Sequence, residues 1–258
     1  MGLVSSSLFP VPETSYTASP HWIWLTTAES EVIPAFFIDR GAKYTLLFSH
    51  GNAEDLGHVI GRTTKLSRAL NVNVFVYDYT GYGLSTGVAH EEATYADVQA
   101  AFQYLRSVMG IPWEHIVLYG WSLGSGPSVH LASRTPVAGL VLHSAFTSIG
   151  RLVLPTTASL PGDVYPNLEN IGGVLCPVYI VHGVEDDVTP VWHAHELAGA
   201  VRKASAFPPL LVEGAGHTDV DLVAGEDFVE GFQKFLASLE LRGARLPREA
   251  AALAAIPE

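Results

Sequence analysis

The chain has 258 residues and a formal net charge of −12, with 14 lysines and arginines against 26 aspartates and glutamates. This length suits one large α/β domain, and a hydrophobic fraction of 48% is enough to bury a sizeable core. The acidic balance argues against a nucleic-acid partner, because neutralising phosphates requires clustered lysine and arginine. The single cysteine, Cys176, excludes an internal disulfide and fits a reducing compartment.

The first residues, MGLVSS, match an N-myristoylation signal in which Gly2 becomes the acceptor after removal of the methionine. The alternative is an unmodified serine-rich start, and both interpretations stay open. One acyl chain holds a protein to a membrane only weakly. No cysteine lies near the start and the first basic residue is Arg40, so neither a second acyl chain nor a polybasic patch reinforces it. We expect a cytoplasmic monomer with, at most, weak and reversible membrane association.

Strand and helix patterns alternate beyond this N-terminal segment, which covers residues 1–20. Two strands are predicted first, at 21–27 and 31–39, and a third at 44–51 ends in a turn. The later predicted elements, in chain order, are a helix at 55–70, a strand at 72–79, a helix at 91–110, a strand at 115–121, a helix at 123–134, strands at 137–146 and 177–183, a helix at 191–202, a strand at 208–216 and a helix at 227–241.

This alternation predicts an α/β fold with a mostly parallel central sheet and helices on both faces. The central strands are apolar almost throughout, as expected of strands that are covered on both sides. One domain is predicted over residues 21–241. Its irregular stretch at 147–172 is expected to form a short cap, and residues 242–258 a flexible tail. Functional side chains in such sheets lie at the carboxyl ends of the strands.

Two segments have the Gly-x-Ser-x-Gly spacing of a nucleophile elbow, GWSLG around Ser122 and GLSTG around Ser85. Ser122 directly follows a predicted strand and directly precedes a helix. Such a tight strand–turn–helix unit strains the serine backbone and holds the hydroxyl clear of the sheet, and the glycines on either side permit close backbone approach. Ser85 lies in a loop, several residues from either neighbouring element. Context therefore favours Ser122 as the nucleophile.

A nucleophilic serine needs a base, and the base needs a carboxylate that fixes its tautomer. In this class of sheet the serine, the acid and the histidine follow one another along the chain. His217 follows the last predicted strand in a glycine-rich loop and is the predicted base. The loop after the preceding strand offers Glu185, Asp186 and Asp187, and chemistry alone does not separate the two aspartates. The other histidines beyond the nucleophile lie in predicted helices or strands, namely His130, His143, His182, His193 and His195.

Two backbone amides are predicted to form an oxyanion hole. One belongs to Leu123, which follows the nucleophile at the start of a helix, and the other to Asn52, in the turn after the third strand. His50 in that turn is interpreted as a hydrogen-bonding brace rather than a second base. His193 and His195 are two residues apart on a helix and do not share a face, so a metal pair is not expected. The predicted chemistry uses no metal and no cofactor.

Five separated motifs occur in order along the chain: YTLLFSHGNAEDLG, VYDYTGYGLSTG, LYGWSLGSGPSVHLASR, VYIVHGVEDDVTP and LLVEGAGHTDVDL. Together they resemble the alpha/beta-hydrolase-domain 17 proteins, membrane-attached protein depalmitoylases among the serine hydrolases. The resemblance runs from about Phe9 to Leu239 and implies an α/β-hydrolase fold. It marks Ser122 as nucleophile, Asp186 as acid and His217 as base.

The sequence departs from this family in two places. It lacks the cluster of N-terminal cysteines that the family palmitoylates, and Trp121 stands where the family usually has glutamine. The resemblance implies hydrolysis of fatty acyl thioesters on S-acylated proteins. Two alternatives stay open, an esterase or lipase for small acyl esters and a non-catalytic binding module. The larger apolar residues at the predicted cap either line an acyl pocket or cover the core: Phe146, Leu152, Leu154, Leu160 and Tyr165.

Overall fold

A computed structural model describes residues 8–154, 156, 158 and 162–243 of the chain. Three positions named above lie outside the described residues: Gly2, the cap residue Leu160 and the tail from residue 244 onward. Among the helices that are described, none combines the length and the apolar run that a membrane-spanning segment requires.

In the described part of the chain, eight strands form one sheet in the order β1-β2-β4-β3-β5-β6-β7-β8. The strand β2 is antiparallel to both of its neighbours, and the other neighbouring pairs are parallel. The predicted, mostly parallel sheet is therefore confirmed. The strands are β1 (Ile23–Thr26), β2 (Val32–Ile38), β3 (Thr45–Ser49), β4 (Asn73–Tyr77), β5 (Ile116–Trp121), β6 (Gly139–His143), β7 (Val178–Gly183) and β8 (Leu210–Val212).

The α-helices are α1 (Leu56–Leu70), α2 (Glu91–Gln103), α3 (Ser125–Ala132), α4 (Ile149–Val153), α5 (Asn167–Asn170), α6 (Trp192–Ala200), α7 (Val220–Ala224) and α8 (Glu226–Gly243). Local signals set their ends. The helix α1 begins after Asp55, whose carboxylate accepts a hydrogen bond from the amide of His58, and it ends at Asn71 in the left-handed region. The helix predicted at 91–110 ends earlier, at Gln103, and continues as a π-helical turn over Tyr104–Val108.

Two apolar clusters cover the two faces of the sheet, because successive side chains of a strand point to opposite sides. In β3, Leu46 and Phe48 lie in one cluster and Leu47 in the other. The helices α1 and α8 cover the first cluster, whereas α2, α3 and α6 cover the second. Each fully buried aliphatic or aromatic side chain contributes about 1.5–3 kcal/mol to this packing. Helices therefore flank the sheet on both faces, as predicted.

In the described part of the segment predicted as an irregular cap, two short helices occur, α4 and α5, and the sequence analysis missed both. Five and four residues respectively are too few to show a helical period in the sequence. The helix α4 starts after Ser148, whose hydroxyl accepts from the amide of Arg151. The Arg151 guanidinium, which is 2% exposed, forms a two-pronged ion pair with Glu169 in α5. Phe146 and Tyr165 are buried in the core cluster, so they cover the core rather than line an open pocket.

Candidate active site

The segment that joins β5 to α3 carries Ser122 at a sharp turn. Ser122 has a φ of +50°, a left-handed conformation that is unfavourable for a residue with a side chain. Close packing explains the glycines on either side. A Cβ at Gly120 would lie 2.6 Å from the carbonyl oxygen of Gly124, and a Cβ at Gly124 would collide with the carbonyl oxygen of Ser49. The predicted strand–turn–helix unit is present, and it holds the serine above the carboxyl edge of the sheet.

Ser122, His217 and Asp186 are joined by a chain of hydrogen bonds. The Nε2 atom of His217 lies 3.0 Å from Oγ of Ser122, and its Nδ1 atom lies 2.8 Å from Oδ2 of Asp186. The three residues follow β5, β8 and β7, parallel strands whose carboxyl ends meet at one edge. The imidazole can therefore take a proton from the serine hydroxyl while the carboxylate stabilises the resulting positive charge.

The structure distinguishes between the two aspartates that chemistry alone did not separate, and it brings to the histidine the one that the family resemblance implied, Asp186. Asp186 is 4% exposed and faces His217, whereas Asp187 and Glu185 are exposed to solvent. The Oδ1 atom of Asp186 accepts from the amides of Val188, at 3.0 Å, and Thr189, at 2.7 Å. Burial acts to raise the pKa of Asp186. The hydrogen bonds from His217 and Thr189 outweigh it and lower the pKa below its ordinary value of 3.8. The carboxylate is therefore ionised at neutral pH.

His182 stands behind the acid, a contact that the sequence analysis missed. Its Nε2 atom lies 2.7 Å from the carbonyl oxygen of Thr189 and 3.4 Å from Oδ2 of Asp186. Burial lowers the pKa of His182, so the ring is neutral and its Nε2–H donates to the carbonyl oxygen of Thr189. The histidine thereby supports the loop that carries the acid. The four-residue spacing between His182 and Asp186 was the only available signal in the sequence.

The loop that carries His217 is held from three sides. The carboxylate of Asp219 accepts from the amide of Gly216 at 2.7 Å, which closes the loop around His217. The Ser144 hydroxyl donates to the carbonyl oxygen of His217 at 3.1 Å. The indole of Trp121 faces the imidazole, with ring centroids 6.2 Å apart and planes inclined by 29°. Sequence reasoning missed Ser144, although its position directly after β6 places it at the same edge.

The two predicted oxyanion-hole amides lie in the turns after β3 and β5. Leu123 is the second residue of the 3₁₀ turn Ser122–Gly124, where an amide has no acceptor within its own helix. Asn52 follows β3, and both ends of its side chain are engaged. Its Nδ2 donates to the carbonyl oxygen of Leu8 at 3.0 Å, and its Oδ1 accepts from the hydroxyl of Tyr82 at 2.8 Å.

His50 braces the same turn, as the sequence suggested. Its Nδ1 lies 2.8 Å from the carbonyl oxygen of Gly51, and its own carbonyl oxygen accepts from the hydroxyl of Tyr79 at 2.7 Å. Burial lowers the pKa of His50 to about 4, so the ring is neutral at pH 7. Ser85, the competing serine, lies in the loop between β4 and α2, where its amide donates to the carbonyl oxygen of Tyr82 at 2.8 Å. The structure joins Ser122, not Ser85, to the histidine.

Three further histidines have structural roles. His130 stacks on Tyr95 with ring centroids 3.6 Å apart, Nδ1 of His143 lies 2.6 Å from the hydroxyl of Tyr119, and His193 contacts Thr147. Burial lowers their pKa values to about 4, 3 and 4 respectively, so all three rings are neutral at pH 7. Among the residues that the structure describes, no three histidine, cysteine or acidic side chains are grouped as metal ligands.

A small cavity lies behind the indole of Trp121. Its volume is about 20 Å³, room for one water molecule, and its polar lining includes Arg62, Trp121, His143 and Asp221. The guanidinium carbon of Arg62 lies 3.8 Å from the centre of the Trp121 ring, on which it stacks as a cation–π contact. The indole thus separates Arg62 from the reacting groups.

Comparison with known proteins places these features in a family. The family described as "alpha/beta hydrolase fold" matches residues 44–170. Alpha/beta hydrolase domain-containing protein aho-3 of Caenorhabditis elegans is 45% identical over 194 residues, which cover 75% of this chain and 57% of that protein. Alpha/beta hydrolase domain-containing protein 17B of Xenopus tropicalis is 44% identical over 213 residues, covering 81% and 73% respectively. The human 17C protein is 43% identical over 197 residues, covering 76% and 59%.

Solved structures show the same fold at low identity. An esterase from Pyrococcus furiosus superimposes with a TM-score of 0.72 at 18% identity, over 88% of this chain and 98% of the esterase. Mouse alpha/beta hydrolase domain-containing protein 10 does so with a TM-score of 0.64 at 17% identity, over 86% and 100%. The chain spans less than two thirds of the length of several of the curated relatives it matches. The chain has the α/β-hydrolase fold and belongs to the family of the alpha/beta hydrolase domain-containing 17 proteins.

Proposed function

We propose that this protein is a serine hydrolase that removes fatty acyl groups from S-acylated proteins by way of an acyl-enzyme. The observation that carries the catalytic part is the hydrogen-bond chain from Ser122 through His217 to Asp186, at 3.0 and 2.8 Å. A hydroxyl on a strained turn, an imidazole within hydrogen-bond distance of it and a buried carboxylate behind the imidazole are the parts that acyl transfer requires.

The reaction proceeds in two steps. His217 takes the proton of Ser122 as Oγ attacks the carbonyl carbon, and Asp186 stabilises the imidazolium that forms. The amides of Asn52 and Leu123 donate to the oxyanion, and each such donor lowers the barrier by about 3 kcal/mol. The carbon–sulfur or carbon–oxygen bond breaks, and His217 gives its proton to the leaving group. Water then loses a proton to His217 as it attacks the acyl carbon. The bond between that carbon and Oγ breaks, His217 returns the proton to Oγ of Ser122, and the fatty acid leaves.

Family membership supports the choice of S-acylated proteins as substrates, since the five motifs resemble those of protein depalmitoylases. Turnover of small acyl esters is the second candidate, and it is favoured by a different observation. Two of the proteins that share this fold are esterases by name, from Pyrococcus furiosus and from Rhodococcus. Both candidates use the same triad and differ in the leaving group, a cysteine thiol or an alcohol.

The nucleophile is tested by labelling the purified chain with a fluorophosphonate probe. We expect wild type to be labelled, Ser122→Ala to be unlabelled, and Ser85→Ala to be labelled at the wild-type rate. The Ser85→Ala chain is the matched control, because it loses a hydroxyl from the other Gly-x-Ser-x-Gly segment. An unlabelled wild-type chain would instead favour a binding module. Labelling that persists in Ser122→Ala and is lost in Ser85→Ala would overturn the assignment of Ser122 as the nucleophile.

The substrate class is tested with a panel of acyl thioesters and oxyesters of increasing chain length, with Ser122→Ala as the control. Release of long fatty acids from S-acylated peptides supports the thioesterase proposal. Turnover of short p-nitrophenyl esters without release of fatty acids from S-acylated peptides would assign the protein to the esterases instead.

We further propose that Gly2 is myristoylated and gives the protein weak, reversible membrane attachment. The supporting observation is the MGLVSS sequence, which lacks a neighbouring cysteine or basic cluster. In cells that supply the acyl donor, we expect Gly2→Ala to shift the full chain from the membrane pellet to the supernatant. Pelleting that Gly2→Ala leaves unchanged would contradict the proposal.

A further inference from the structure

The turn that carries the Asn52 amide is held by a row of three tyrosines, of which Tyr77 ends β4 and Tyr79 and Tyr82 follow it. The hydroxyl of Tyr77 lies 2.7 Å from Oγ of Ser49, that of Tyr79 donates to the carbonyl oxygen of His50 at 2.7 Å, and that of Tyr82 donates to Oδ1 of Asn52 at 2.8 Å. Three successive residue contacts thus fix one short turn. The last of them reaches the residue whose amide is predicted to face the oxyanion.

The tyrosines themselves are rigid. All three side chains are fully buried, and they pack edge to face, with ring centroids 5.7 Å apart for Tyr77 and Tyr79 and 5.6 Å apart for Tyr79 and Tyr82. Edge-to-face aromatic packing restricts ring rotation and adds to the stability of the cluster. The hydroxyl of Tyr82 is therefore a fixed point against which the Asn52 side chain can be held.

The backbone on both sides of Asn52 is constrained. A Cβ at Gly51 would lie 3.1 Å from the ring of Trp121 and 3.2 Å from Oε2 of Glu54. Ala53 has a φ of +56°, a left-handed conformation that is unfavourable for alanine. Asn52 lies between these two residues, and its side-chain amide is anchored at both ends, to Tyr82 and to Leu8.

Leu8 belongs to a segment that is also fixed. The neighbouring Phe9 is 5% exposed and packs on Tyr165 with ring centroids 6.1 Å apart. Further along, the amide of Ser15 donates to the carboxylate of Asp55 at 2.7 Å, and Asp55 caps the helix that follows the same turn. The N-terminal segment and the tyrosine row therefore both contact the Asn52 turn and hold it in place from two sides.

We propose that Tyr82 is a positioning residue of the oxyanion hole, acting through the side chain of Asn52 on the direction of the Asn52 amide. The inference rests on the proposed function and deepens it, because it assigns a role to a residue outside the triad. An oxyanion donor contributes fully only when it is preorganised toward the position that the oxygen takes in the transition state. Losing the Tyr82 hydrogen bond therefore affects the chemical step more than substrate binding.

The test compares Tyr82→Phe with Tyr165→Phe in the full chain. Each variant loses one buried tyrosine hydrogen bond of 2.8 Å, from Tyr82 to Asn52 or between Tyr165 and Thr94. With a p-nitrophenyl ester in saturating and limiting amounts, we expect kcat of Tyr82→Phe to fall about tenfold while KM stays within about twofold. We expect the affinity for an alkyl boronic acid, whose adduct carries an oxygen in the hole, to fall by a similar factor. The Tyr165→Phe chain should match wild type in both measurements.

A double-mutant cycle distinguishes positioning of the Asn52 amide by Tyr82 from a general loss of rigidity in the folded protein. Asn52→Ala keeps the backbone amide but loses both side-chain anchors, so adding Tyr82→Phe to it should lower kcat no further. Effects that multiply in the double variant, or Tyr82→Phe kinetics equal to those of Tyr165→Phe, would overturn the role of Tyr82 while the wild-type activity stands. A wild-type chain that fluorophosphonate does not label would overturn the proposed function itself, and the inference with it.

Discussion

The indole of Trp121 lies between two charged or titratable groups, the guanidinium of Arg62 and the imidazole of His217. It also occupies the space beside Gly51, where a Cβ would lie 3.1 Å from its ring. One side chain, adjacent to the nucleophile, thus contacts both the turn after β3 and the base. At the scale of single residues, the orientation of the imidazole depends on this aromatic wall as well as on its two hydrogen bonds.

Substitutions at Trp121 distinguish the effect of its aromatic ring on the orientation of His217 from the effect of the hydrogen bonds that His217 makes. We expect Trp121→Leu to lower kcat about fivefold or more, because the imidazole loses the flat surface that restricts its rotation. Trp121→Phe keeps an aromatic face and should stay within about twofold of wild type. Steady-state kinetics on one acyl ester, with thermal unfolding to confirm folding, makes the comparison. Equal kcat values for the leucine and phenylalanine variants would show that the wall has no effect on catalysis.

At the scale of elements, the nucleophile turn depends on how closely β3, β5 and α3 approach one another. Gly124 starts α3 directly against the carbonyl of Ser49 at the end of β3, and Gly126 packs on the ring of Tyr165. Neither position has room for a methyl group. The strained φ of Ser122 persists because this packing overrides its local cost.

Gly124→Ala should therefore be strongly destabilising, by about 3 kcal/mol or more, since the added methyl group meets backbone atoms that cannot move independently. Gly199→Ala is the matched control. Gly199 lies in α6 with nothing within 4 Å of an added Cβ, and there the substitution should stabilise by about 0.5–1 kcal/mol. Urea denaturation of the two variants measures both effects. A Gly124→Ala chain as stable as wild type would contradict the packing described here.

The helix α2 contributes a buried carboxyl, Asp97, which accepts from the amide of Thr80 at 2.8 Å and from its hydroxyl at 2.7 Å. Burial raises the pKa of Asp97 to about 7, with Glu29 and Glu31 adding to the rise. The folded chain therefore binds more protons than the unfolded chain between pH 3.8 and about 7. The stability from this group is complete below that window and is lost as the pH rises through it.

Asp97→Asn should remove this pH dependence. Its amide can still meet the amide and hydroxyl of Thr80, because the hydroxyl can accept as well as donate. We expect the difference in Tm between variant and wild type to grow in favour of the variant as the pH rises from about 4 to about 7, and to stay level above that. Differential scanning calorimetry across this range measures it. A difference in Tm that stays constant with pH would show that the carboxyl is ionised in the folded protein at low pH as well.

At the scale of the whole molecule, the net charge of −12 produces a negative field, and exposed acids stand close to the triad. Glu185 and Asp187 flank the acid itself, and Glu226 and Asp227 begin α8, shortly after the loop that carries His217. Such a field raises the local concentration of cationic substrates and repels anionic ones, and it weakens as salt screens it.

We therefore expect kcat/KM to be higher for an S-acylated peptide with basic neighbours than for the same peptide with acidic neighbours. The ratio should be about threefold or more at low ionic strength and approach one at about 0.3 M salt. A neutral peptide of the same length controls for the effect of salt on the enzyme. A ratio that salt does not change would mean that local contacts, rather than the field, discriminate between the peptides.

The fold class and the chain order of the candidate catalytic residues could be predicted from the amino-acid sequence. Long apolar strands, glycine-punctuated turns and an amphipathic period are local signals, so eight strands and the longer helices could be located from spacing alone. Ser122 could be separated from Ser85 because its position between a strand and a helix is also local. The short helices α4, α5 and α7 could not be found, since each has five residues or fewer.

The contacts between side chains from different loops are visible only in the folded protein. The two aspartates after β7 are chemically equivalent in the sequence, and the path of the loop buries Asp186 against His217 and leaves Asp187 in solvent. The supports from His182, Ser144 and Tyr82 likewise join residues that are far apart along the chain or lack a motif. Hydrogen bonds of this kind depend on distances between loops from different strands, and those distances are set by packing across the whole sheet, which no local pattern records.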